Sequence, residues 1–136
     1  MSSAWDTINR NRRSEPRRKV RLSASVSLVE QDADESQWPS VLAYTRDISA
    51  SGMSLIVPST QLGCHDLKSG DYLLRIILAI SNETSVRITA RLVHCELANQ
   101  KDSEIGFLLG VKIEELSADD RVLYDEVINS PMPLSG

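Results

Sequence analysis

A chain of 136 residues fits one ordinary domain, and its 41% apolar content is that of a globular protein with a single core. No stretch approaches the roughly 18 consecutive apolar residues of a membrane span, and no apolar export signal opens the chain, so a cytoplasmic protein without a membrane span is expected. The net charge of −4 is unevenly spread, with Arg10, Arg12, Arg13, Arg17, Arg18, Lys19 and Arg21 crowding the start; a basic arm on an acidic body suits a small anionic ligand better than a long nucleic acid, which that body would repel.

Residues 1–18 show little hydrophobic periodicity and read as a flexible basic arm. From Val20 the even positions Leu22, Ala24, Val26 and Leu28 are apolar between polar neighbours, the period of a half-buried strand. Gln31 to Pro39 is a polar, acidic connection. A second strand is expected over Val41 to Ser49 and a third over Met53 to Val57, joined by a tight reversal at Ala50, Ser51 and Gly52 and ended by Pro58. A loop through Gly63 to Asp71 leads to the apolar strand Tyr72 to Ile80. Val86, Ile88, Ala90 and Leu92 alternate with Arg87, Thr89 and Arg91 in a fifth strand reaching Glu96. After a polar loop at Asn99 to Ser103, a sixth strand spans Ile105 to Glu114, with Phe107, Leu109, Val111 and Ile113 on one face. Ser117 can cap a helix that opens with Asp119 and Asp120, carries Leu123, Val127 and Ile128 as its apolar stripe, and stops before Pro131 and Pro133.

The expected architecture is therefore all-β: a six-stranded antiparallel barrel plugged or flanked by one C-terminal helix. Its divisions are the arm at 1–18, the barrel at 19–116, the helix at 117–130 and a tail at 131–136.

Two motifs carry chemistry. Arg13-Ser14-Glu15-Pro16-Arg17, with Arg12 directly in front, sets arginines four apart on a segment that Pro16 keeps non-helical. A guanidinium fork fits phosphate oxygens or the O6 and N7 edge of guanine and can stack on a base. The same run also reads as a solvating tail. In Asp47-Ile48-Ser49-Ala50-Ser51-Gly52, strand periodicity puts the Asp47 carboxylate and the Ser49 hydroxyl on one face, where a carboxylate suits the N1 and N2 donors of guanine; Gly52 permits positive φ or close backbone approach. An ordinary Asx or Ser turn has this sequence too.

Taken together and in this order, Arg-x-x-x-Arg before the first strand and Asp-x-Ser-x-x-Gly between the second and third resemble the signature of the PilZ domain family. The resemblance continues through Gly63 and Gly70, Arg91-Leu92-Val93 and Leu109-Gly110-Val111-Lys112-Ile113. It implies a barrel that binds the bacterial second messenger cyclic di-GMP, with Arg13 and Arg17 gripping guanine and phosphate, Asp47 and Ser49 holding a guanine edge, and Gly52 leaving room for it. Arg12 fits a family tendency towards two intercalated ligand molecules, sometimes with dimerisation, so the resemblance implies a monomer or a ligand-dependent homodimer. Some members carry an aromatic residue near Arg91 that stacks on base; here Arg91 and Leu92 occupy that stretch. The resemblance implies a receptor that signals to a downstream protein, with cyclic di-GMP as ligand and no other cofactor.

An enzyme needs a nucleophile, base or metal constellation, and the candidates are Cys64-His65 and His94-Cys95. Neighbours on a strand face opposite ways and the spacing is not that of a zinc module, so neither a catalytic nor a metal site is expected. With two cysteines, reduced thiols are expected rather than a disulfide framework. Glu114-Glu115 and Asp119-Asp120 read as a solvated face and as charges complementing the helix dipole. A nucleic-acid-binding barrel is disfavoured by the scarcity of aromatic residues for stacking. A PilZ-like adaptor that binds protein without ligand is the other alternative.

Overall fold

The alternation of apolar and polar residues along the chain becomes an alternation of burial across one closed sheet. The structure, a computed structural model, describes residues 17–97 and 106–129. Strands run over Arg17–Arg18 (β1), Ser23–Leu28 (β2), Ser40–Ser49 (β3), Gly52–Val57 (β4), Gln61–Leu62 (β5), His65–Asp66 (β6), Leu73–Ala79 (β7), Ser85–Leu97 (β8) and Phe107–Leu116 (β9), followed by the helix Ala118–Asn129 (α1). Six of them, β2, β3, β4, β7, β8 and β9, close into an antiparallel barrel, because β3 pairs with both β2 and β4 while β9 joins β4 to β8. Closure gives both edges of the sheet a partner.

The core is filled by the inward halves of the alternating strands: Val26, Leu55, Val57, Leu74, Ile76, Leu78, Val86, Ile88, Ala90 and Leu109 are all fully buried. Tyr124 and Val127 of α1 belong to the same cluster, and Leu123 and Ile128 pack against it, so the helix covers the barrel rather than standing apart. Ser117 accepts from the Asp120 amide through its hydroxyl at 3.1 Å, the N-cap bond its residue type predicts.

Two details differ from the periodicity reading. The expected loop between Gly63 and Asp71 holds part of a small hairpin, β5 against β6, and a short 3-10 turn at Leu67–Ser69. The expected arm of residues 1–18 ends inside the sheet, since Arg17 and Arg18 pair with Ser49 and Ile48 of β3. Residues 1–16, the loop at Asn99 to Ser103 and the tail lie outside the described residues. Thr45 secures the break between β1 and β2: its buried hydroxyl accepts from the Leu22 amide at 2.9 Å and donates to the Val20 carbonyl at 2.5 Å, serving backbone groups that the break leaves without a ladder partner.

Candidate ligand-binding site

A bulge decides which way the acidic motif faces. Along β3 the partners on β4 run Thr45 to Leu55 and then Asp47 to Ser54, so Arg46 is an extra residue that reverses the alternation. Thr45 is buried in front of it and Ile48 behind it, and Asp47, which unbroken alternation would turn inward with Thr45, remains partly exposed. There its carboxylate meets Arg17 of β1, with Nη1 2.5 Å from Oδ1. Strand pairing thus brings the last arginine of one motif onto the carboxylate of the other, 30 positions away in sequence.

Beside this pair lies a surface depression of about 650 Å³, lined by Arg17, by Ser49 and Ser51 to Ser54 around the reversal, by Val93 and His94 of β8, and by Gly110 to Lys112 of β9. Its volume falls within the roughly 300–1,000 Å³ of ligand sites. Among the described residues, Arg17 and Lys112 supply charge to the lining and no carboxylate does, so this lining is cationic on a net-acidic chain. Val93 is itself an extra residue, because Leu92 pairs with Val111 and His94 with Gly110. The bulge leaves Val93 exposed and sets the His94 ring beside Gly110, where a Cβ would stand 3.3 Å from the His94 Cβ. His94 Nε2 also lies 3.0 Å from Glu96.

The other expected site residues are placed as follows. Ser49 is buried and donates its hydroxyl to the Gly52 carbonyl at 3.2 Å, while still bordering the depression. Gly52 is not among the residues at positive φ; a Cβ there would stand 2.4 Å from the Val111 carbonyl oxygen, so it is the close approach of β9 that requires glycine. Arg91 is held by Glu114 at 2.9 Å and Asp71 at 3.1 Å, and these hydrogen bonds, Glu114 first, push its pKa up. Arg12 and Arg13 lie outside the described residues. Among those described, no group of three or more His, Cys, Asp or Glu could hold a metal ion.

The profile of the PilZ domain family matches residues 11–129, a span that includes every part of this site. The chain belongs to the PilZ domain family. Its barrel is similar to the PilZ domain of YcgR from Escherichia coli, solved with c-di-GMP, at a TM-score of 0.61 and 14% identity over 88% of this chain and 90% of that one. It is also similar to the inhibitor of motility MotI/DgrA of Bacillus subtilis, at a TM-score of 0.57 and 16% identity over 82% of this chain. This PilZ domain spans 46% of the Bacillus chain. Among curated proteins nothing matches the sequence.

Sequence reasoning missed His94 and Lys112, which line the depression, and Tyr124, which bonds the turn beside it. His94 entered as a metal or thiol candidate, and only the bulge at Val93 and the pairing with Gly110 bring it to the depression. Tyr124 was absent from the expected helix stripe, although its spacing of three from Val127 and four from Ile128 is a signal for it. Fully buried, it donates to the Ser49 carbonyl at 2.6 Å and the Gly52 carbonyl at 3.1 Å.

Proposed function

We propose that this PilZ domain is a non-catalytic cyclic di-GMP receptor that changes conformation on binding and signals to a downstream protein. The observation that carries the reading is the meeting of Arg17 with Asp47 at the rim of a cationic depression. A cyclic dinucleotide offers phosphates and two guanines. Arg17 and Lys112 face the anion, Arg12 and Arg13 reach it from the preceding arm, and Asp47 accepts from a guanine edge. Ser49 and Gly52 act through the backbone: the buried hydroxyl and the close approach to β9 fix the turn against which the base lies. The His94 ring offers a face for stacking.

The Arg17–Asp47 pair does not obstruct this. The arginine side chain is 48% exposed and the aspartate 17%, so Arg17 can turn to a ligand while Asp47 exchanges its guanidinium partner for guanine donors, contacts worth about 1–3 kcal/mol. The proposed division of labour is an arm to residue 18 that closes on the ligand, a barrel over 19–116 that holds it, and a helix over 117–130 before the tail. No helix among the described residues is long and apolar enough to cross a membrane.

Titration calorimetry with cyclic di-GMP, GMP and a short single-stranded oligonucleotide tests the reading. The expected result is dinucleotide binding with a Kd around micromolar, about −8 kcal/mol, lost or weakened at least tenfold in Arg17→Ala and Asp47→Ala. Wild-type protein that ignores the dinucleotide leaves the adaptor reading; oligonucleotide binding that falls steeply with salt would establish the nucleic-acid one.

A further inference from the structure

We infer that Tyr124, assisted by Arg121, is a positioning residue of the ligand site, whose hydroxyl sets the geometry of the turn that borders the depression; the inference rests on the ligand reading above. The reversal Ser49 to Gly52 has four backbone carbonyls, and each accepts a bond from outside the turn's own backbone. The Tyr124 hydroxyl serves Ser49 at 2.6 Å and Gly52 at 3.1 Å, and Arg121 Nη1 serves Ala50 at 2.9 Å. The Ile113 amide of β9 serves Ser51 at 2.8 Å, and the Ser49 hydroxyl adds a second bond to Gly52 at 3.2 Å. Two donors on one face of α1, one helical turn apart, thus reach three of the four carbonyls, the single Tyr124 proton being shared between Ser49 and Gly52 with Ser49 the nearer.

Packing makes the hold specific. Tyr124 is fully buried, and a phenol hydroxyl in a core needs an acceptor. The Arg121 guanidinium lies 5.8 Å from the Tyr124 ring centroid and 3.4 Å from Asp125, which fixes its reach towards Ala50. At the first turn of α1 the Asp120 carboxylate accepts from the Arg87 amide at 3.3 Å, tying that end of the helix to β8. The turn therefore cannot shift without breaking bonds to α1. A ligand that selects this turn geometry stabilises the bonds that hold it, and those bonds strengthen ligand binding by the same factor.

Tyr124→Phe keeps the ring and removes the hydroxyl; Val127→Ala removes buried packing from the same helix without touching the turn. The expected result is that Tyr124→Phe stays folded, exchanges the amides of residues 49–52 faster in the ligand-free protein, and binds cyclic di-GMP about five- to twentyfold more weakly. Val127→Ala is expected to lose more stability against urea yet keep wild-type affinity. Wild-type affinity in Tyr124→Phe, or an equal loss of affinity in Val127→Ala, overturns the inference. If the wild type itself binds no cyclic di-GMP, the ligand reading fails, and the exchange measurement alone decides: faster exchange at 49–52 in Tyr124→Phe upholds the clamp, and unchanged exchange overturns it.

Discussion

Asp47 shows how much one inserted residue changes. Without the extra Arg46 it would follow Thr45 into the barrel, where an ionised carboxylate would need a buried partner; with the bulge it stands at the surface against Arg17. Thr45 and Ser49 use their hydroxyls the opposite way, inside the fold, on backbone groups that irregular strand ends leave over. The cysteines separate by the same logic. Cys64 is exposed, whereas burial pushes the Cys95 thiol up from its ordinary value, with Asp66 and Glu96 adding to the rise and Lys68 opposing it. A raised thiol pKa means less thiolate at a given pH, so iodoacetamide at pH 8 should label Cys64 well before Cys95, and the Cys95 rate should go on climbing as the pH is raised. Peptide mass spectrometry over a time course reads both rates; equal labelling at pH 8 would contradict the partial burial of Cys95.

Among the elements, β1 and α1 meet the reversal from different sides. β1 contributes two residues, which pair with Ser49 and Ile48 of β3, and Arg17 adds the ion pair with Asp47. Segments with few buried contacts open at low free-energy cost. Amide exchange at Arg17 and Arg18 should therefore be among the fastest of any strand in the free protein and should slow with saturating cyclic di-GMP, while Ile76 of β7, buried and paired on both sides, stays slow throughout. Exchange at Arg17 and Arg18 that is unaffected by ligand would refute closure of the arm. The connection between β2 and β3 is better fastened than its composition implies. The Trp38 indole donates to the carbonyls of Glu30 at 2.8 Å and Ala33 at 3.0 Å, and Glu35 bridges to Arg87 at 2.7 Å.

At the scale of the molecule, barrel closure and a shared core join strands and helix into one unit, and such a unit unfolds cooperatively. In a Trp5→Phe variant, the fluorescence of Trp38 in the β2–β3 connection and the far-ultraviolet circular dichroism of the whole should give coincident urea transitions; separated midpoints would mean that the connection melts independently. The strand periodicities, the cap at Ser117 and the order of the two motifs were legible in the sequence, and with them the barrel, its helix and the family. These are local properties, set by side-chain hydrophobicity and backbone propensity within a few residues. Tertiary structure alone decided that Arg46 and Val93 are bulges, that Gly52 is required by the approach of β9 rather than by its own φ, and that His94, Lys112 and Tyr124 converge on one turn. A bulge is fixed by the register of the partner strand, and convergence by which strands close the barrel; both depend on residues tens of positions away, and a period-two pattern carries no record of them.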